Sequence, residues 1–240
     1  MGKINWKVFI PKIFIYILGL FVMAFGISFS VRSNLGISPV SSLPFALGRI
    51  TGLSMGTFVT AMFVVYVLIQ IVLLRRNFKW INLTQVLFAI MFGYFVDFSN
   101  RVTANLAPIS YLGQFALLLL SAYTISFSLT LYMEANLIPL PTEGVVATIT
   151  QLLPNGKFGR VKIAFDCILV AIAIILSWVF LRNLEGIREG TIISGLLIGK
   201  MVPFNEKLSV GLLRRFGYSK QASIIQQNFH PDHYTPLGDL

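Results

Sequence analysis

Few side chains in this sequence can do chemistry, and those that can sit in unusual places. Glu143 and Asp166 are carboxylates inside or beside strongly apolar stretches. A charge held away from water needs a partner or a task, so the two together could hold a proton or a cationic group. Glu143 falls in the first turn of a short helix opening at Pro141, where the helix dipole favours negative charge. Asp166 follows Lys162 by four residues, a spacing that also suits a plain ion pair along a helix. Ser38 and Ser41, with Ser42, open an earlier short helix at Pro39. Their hydroxyls and the free N–H groups of that helix suit an anion or a carboxyl group. Asn34 and Asn136 stand just before the two short helices and offer neutral hydrogen bonds, although Asn is also a good helix end. Asn34, Ser38, Ser41, Asn136, Glu143 and Asp166 are therefore the expected substrate-binding residues. No nucleophile–base set, metal cluster or glycine-rich nucleotide loop accompanies them, so neither an enzyme nor a cofactor is expected. Cys167 is the only cysteine, and His230 and His233 lie in a polar tail.

The elements that would position these residues occur twice. Ser33-Asn34-Leu35-Gly36-Ile37-Ser38-Pro39 and Ala135-Asn136-Leu137-Ile138-Pro139-Leu140-Pro141 each close a long apolar run and open a short amphipathic one. Asn136 follows Asn34 by 102 residues, and Pro141 follows Pro39 by the same interval. The interval becomes 103 for Gly56 and Gly159, and 106 for Gly93 and Gly199. Insertions at loops explain such steps. Ala89-x-x-x-Gly93 and Gly195-x-x-x-Gly199 fall at equivalent places, and small residues four apart allow close helix packing. Val40, Leu43, Leu47 and Ile50 share one helical face, as do Val145, Ile149 and Leu152. At about a dozen residues each, these helices are short for a span and read as interfacial or re-entrant; were they to cross, the two halves would run parallel instead of inverted.

Composition decides the class. Hydrophobic residues make up 56% of the 240 and charged residues only 12%, with a mean hydropathy of +0.79. An ordinary soluble domain is about a quarter charged, so this is an all-α integral membrane protein. Six spans are expected, at about 13–31, 57–74, 80–96, 109–133, 161–181 and 191–202, the last being short and carrying Lys200. They form two three-helix repeats, about 13–98 and 109–204, each with one non-spanning helix, separated by a polar break from Asp97 to Pro108. Residues 205–240 read as a cytoplasmic amphipathic helix and tail, with Leu208, Leu212 and Phe216 beside Lys207, Arg214 and Arg215. An odd number of spans per half inverts the second half relative to the first. With both termini cytoplasmic, thirteen Lys and Arg fall in inner segments and five in outer ones, as the positive-inside rule requires. The net charge of +10 is thus about orientation, and nucleic acid is not implied.

The arrangement resembles the bacterial YczE/YyaS/YitT group of multi-span membrane proteins. The residues that carry the likeness are Asn34-Leu35-Gly36-Ile37-Ser38-Pro39 and Thr51-Gly52-Leu53-Ser54-Met55-Gly56-Thr57, within a similarity running from about Phe14 to Phe204. The second half departs, with Ile138-Pro139 where the first has Gly36-Ile37. The resemblance implies a bacterial inner-membrane protein of repeat architecture and points to no particular activity. Two functions remain open: a small-solute secondary transporter or permease acting on a small molecule or ion, and a non-transporting membrane partner or regulator. The oligomeric state is not specified by any of these features.

Overall fold

A computed structural model describes residues 6–108, 110–135, 137–154 and 156–215. Side chains are described for residues 9–205 of these. Eight α-helices account for most of them: α1 Trp6–Ser33, α2 Pro39–Thr51, α3 Met55–Leu74, α4 Thr84–Val102, α5 Tyr111–Glu134, α6 Pro141–Leu152, α7 Phe158–Leu176 and α8 Glu189–Arg215. There is no strand among the described residues. Among the described residues, five stretches are long and apolar enough to cross a membrane: Phe9–Ser33, Met55–Asn77, Trp80–Val102, Tyr111–Glu134 and Phe158–Leu181. The two Pro-led segments are the short helices α2 and α6. Pro39 and Pro141 each occupy a first turn, where a missing N–H leaves no bond unmade. Gly52 ends α2 in the left-handed conformation, its N–H donating to the Gly48 carbonyl.

Helix α1 packs against α5 along much of its length. A Cβ at Gly19 would come within 2.8 Å of the Tyr132 Cβ, and one at Gly26 within 2.7 Å of Ile125 Cγ1. These two glycines let the backbones approach. The pairings run in opposite numerical order, so α1 and α5 are antiparallel. The Ser121 hydroxyl ties them by donating to the Gly26 carbonyl at 2.7 Å. Helix α4 lies beside α1, where Ser99 Oγ donates to the Ala24 carbonyl at 2.9 Å and Arg32 Nη2 to the Asn100 carbonyl at 2.8 Å. Helix α8 lies beside α5, where Asn205 Nδ2 donates to Ser126 Oγ at 2.6 Å. Across the bundle, α2 packs on α7 and α6 packs on α3.

Each short helix leaves and returns at the same end of the bundle, α2 at one end and α6 at the other. The end of α1 and the start of α3 both meet the last turns of α4, through Arg32–Asn100 and Gly56–Asp97. Helix α2, which connects them, therefore does not cross. By the same test α6 begins beside the second half of α3, through Gln70 and the Pro141 carbonyl. Helix α7 then starts at that end too, its Phe165 ring meeting Tyr66 edge-on at 5.4 Å.

Two expectations need correction. The polar break after Val96 is not a break: α4 continues to Val102, because Asp97 and Ser99 find partners on α3 and α1. The separate amphipathic helix after Val202 is instead a continuation of α8, which runs unbroken through Pro203 to Arg215. The sixth expected span, which falls within α8, is not one of the membrane-length apolar helices found among the described residues. The tail from Phe216 onward, with both histidines, lies outside the described residues.

Candidate functional site

Of the side chains singled out in the sequence, Glu143 has the most unusual surroundings. Helix α6 is pinned at its first turn by two buried amides on neighbouring helices. Gln70 Nε2 donates to Gln85 Oε1 at 3.2 Å and to the Pro141 carbonyl at 3.4 Å. Gly144 lies directly on the Gln70 amide, where a Cβ would meet Oε1 at 2.7 Å. This contact fixes the turn that carries Glu143, whose carboxylate oxygen Oε2 is buried without a hydrogen-bond partner. The Tyr132 hydroxyl lies beside the Glu143 carboxyl, and Tyr16 is close enough to feel its charge. Both tyrosines are buried, at 2% and 1% exposure, and neither hydroxyl closes a hydrogen bond. Their rings meet edge to face at 5.8 Å, and Tyr16 meets Phe88 at 4.7 Å. Tyr16 is seven residues into the Phe9–Ser33 span, about 10 Å along it. Unbonded polar oxygens at that depth are costly.

Asp166 is on α7 with its carboxylate on Lys162 Nζ at 2.6 Å. Both side chains are about three-quarters buried, at 24% and 23% exposure for Lys162 and Asp166. The pair lies near enough to act electrostatically on Glu143, and Asp166 on Tyr66. The structure therefore brings Glu143, Lys162 and Asp166 into one neighbourhood. With all three ionised they carry one net negative charge.

Asn34, Ser38 and Ser41 stand at the opposite end, about 25 Å away by the seventeen helical rises from Tyr16 to Ser33. Asn34 is exposed and left-handed, with φ +55°, and its carbonyl accepts from Arg188 Nη1 at 3.0 Å. Ser38 takes the N-cap position of α2 without a side-chain cap bond, and Ser41 N donates to its carbonyl at 2.9 Å. Gly36 packs so tightly on Gly190 and Thr191 that a side chain has no room. This end is a helix junction closed by backbone bonds, Ile37 N to the Gly186 carbonyl and Gly190 N to the Leu35 carbonyl. Asn136 lies outside the described residues. The six expected residues thus do not converge on one point. Sequence reasoning missed Tyr16, Tyr132, Gln70 and Gln85. Gln70 and Gln85 carried a signal, as amides on long apolar helices; the two tyrosines carried none.

Residues 10–207 match a family described as a family of unknown function, DUF6198. Over 201 residues the chain is 25% identical to an uncharacterized membrane protein, YczE, of Bacillus subtilis (strain 168). That similarity covers 82% of this chain and 86% of the relative. No solved structure matches. The chain belongs to this family of membrane proteins.

Proposed function

We propose that this family member is a small-solute secondary transporter, or permease, built from two inverted halves of three spans and one short helix each. One observation carries the reading: the halves exchange their short helices. Helix α2 of the first half seats on α7 of the second, and α6 of the second seats on α3 of the first, around antiparallel α1 and α5. Inverted repeats meeting at non-spanning segments are a common plan of secondary transporters. Hydrogen bonding supports the pairing of positions. Ala24 and Ser126 are 102 apart, Ser99 and Asn205 are 106 apart, and each half bonds its own pair. On this reading α8 is the sixth span, and both termini face the cytoplasm of a bacterial inner membrane.

The halves are packed differently, which supplies a mechanism. In the first half Gly56 and Gly93 bring α3 and α4 together, and Asp97 closes the joint by accepting from Gly56 N at 2.8 Å and Ser54 Oγ at 2.6 Å. The equivalent Gly159 and Gly199 have no atom within 4 Å of an added Cβ, and α7 and α8 make no comparable contact among the described residues. Pro203 stands at the position corresponding to Asp97, so the second joint lacks a carboxylate latch. Transport then consists of closing α7 on α8 while α3 parts from α4, which exposes the Glu143 neighbourhood to alternate sides. The test is solute uptake into proteoliposomes under imposed proton and sodium gradients, across amines, sugars, carboxylates and inorganic ions. One class should accumulate above protein-free vesicles and fail to do so with Glu143→Gln inserted at the wild-type level. No accumulation of any class, together with a stable complex with another membrane protein, would make the chain a partner or regulator instead.

A further inference from the structure

We infer that the first turn of α6 binds a primary ammonium group, with Glu143 as its counter-ion and the Tyr16 and Tyr132 hydroxyls as its remaining acceptors. The inference names a substrate class for the site on which the transport reading rests.

Besides Thr142 Oγ1 on the same turn, three oxygens that lie together lack partners: Glu143 Oε2, Tyr16 Oη and Tyr132 Oη. They come from three different helices, α6, α1 and α5, held in place by the Gln70–Gln85 pair and the Gly19–Tyr132 contact. Buried polar atoms are normally bonded, and three unbonded ones sharing one neighbourhood call for a common partner. Lys162 is held by Asp166 at 2.6 Å, so an ionised Glu143 has no close counter-ion of its own. A single cation would balance it. An –NH3+ group presents three N–H donors and no acceptor, the complement of three oxygens. The Tyr16 and Tyr132 rings, edge to face at 5.8 Å, add apolar surface beside the hydroxyls for the carbon next to nitrogen. A quaternary ammonium would keep the ring contacts and the charge but leave both hydroxyls unbonded. A metal ion prefers more oxygen ligands than are gathered here.

The experiment is calorimetric titration of the purified full-length protein in detergent with methylammonium, tetramethylammonium and sodium chlorides at constant ionic strength. Methylammonium should bind saturably and at least about tenfold more tightly than either of the others. Glu143→Gln should weaken it by about tenfold or more, and Tyr132→Phe by several-fold, in proteins of wild-type helix content. Should Glu143→Gln not fold, the double variant Tyr16→Phe/Tyr132→Phe carries the test, and the same selective loss is expected. Equal or tighter binding of tetramethylammonium or sodium, absence of saturable methylammonium binding, or an unchanged Glu143→Gln would overturn the inference. Methylammonium uptake by vesicles then separates it from the transport reading. Binding without flux keeps the ammonium site and removes the transporter. Flux of an anion or a neutral solute, with no ammonium binding, does the reverse.

Discussion

Alanine placed at the two equivalent glycine pairs should act with opposite sign, because the pairs are equivalent in sequence and opposite in surroundings. At Gly93 a Cβ would lie 2.6 Å from the Gly56 carbonyl oxygen and would also strike Thr60 Oγ1. At Gly56 it would lie 2.6 Å from Asp97 Cγ and meet the Gly93 carbonyl. A comfortable carbon–oxygen contact is longer by most of an ångström, and both obstructions at Gly56 are backbone or a latched side chain. The helices must part, at about 1–3 kcal/mol for overpacking. Gly56→Ala also strains the Asp97 cap on α3, worth about 1 kcal/mol. Alanine's helix propensity returns about 1 kcal/mol. The net expectation for Gly56→Ala is a loss of about 1–3 kcal/mol. Gly199→Ala meets nothing within 4 Å and keeps the propensity gain in full. With an unfolding entropy of roughly 2.1 cal/mol/K per residue, the 240-residue chain shifts by about 2 °C per kcal/mol. In detergent melts Gly56→Ala should fall by about 2–6 °C and Gly199→Ala should rise by about 2 °C. Transport should follow another order: Gly199→Leu, harmless to the state described, fills the face on which α7 closes and slows flux. A Gly56→Ala protein melting at or above the wild type would refute the packing argument. A Gly199→Leu protein transporting at the wild-type rate would refute the alternation.

Other expectations follow from single contacts. Asp97→Ala removes both acceptors at the start of α3 and should destabilise by about 1–2 kcal/mol, read from the same melts. Gln70→Leu strands the Gln85 amide and releases the first turn of α6; a loss of about 1–3 kcal/mol is expected, and a neutral result would remove the pinning role. Reporter fusions after Asn77 and after Gly217 should fall on one side of the membrane and a fusion after Asn105 on the other. A fusion at Asn77 reporting with Asn105 would end the inverted arrangement.

Much of the fold was legible because its marks are local. Pro39 and Pro141 announce short helices through backbone chemistry alone, and long apolar runs announce spans whatever they pack against. The boundaries that failed depend on partners far along the chain. Asp97 reads as a helix-ending charge until Ser54 and Gly56, more than forty residues earlier, are seen to hold it. Asn205 reads as the start of a polar tail until Ser126 is placed beside it. The site was half legible for the same reason. A carboxylate at the start of a short apolar helix stands out by itself, and so does the Lys162–Asp166 spacing. Tyr16 and Tyr132 do not, since tyrosines on apolar helices are commonplace. Only the antiparallel register of α1 against α5 shows that their hydroxyls face Glu143. Grouping Asn34, Ser38 and Ser41 with Glu143 assumed that equivalent motifs meet, whereas here the two motifs stand at opposite ends.

The alternation of the two halves is tested most directly by a cross-link across the open joint. Thr60 and Gly93 touch in the first half, and their counterparts in the second are Ile163, which is exposed, and Gly199. Ile163→Cys/Gly199→Cys, in a Cys167→Ser background that removes the exposed native thiol, is placed in proteoliposomes with a membrane-permeant oxidant. A disulfide needs Cβ atoms about 3.5–4.5 Å apart. It can therefore form only when α7 closes on α8. The account predicts that the bond forms in lipid, that flux stops as it forms, and that reduction restores flux. A protein that transports at the wild-type rate while this pair never cross-links would contradict it.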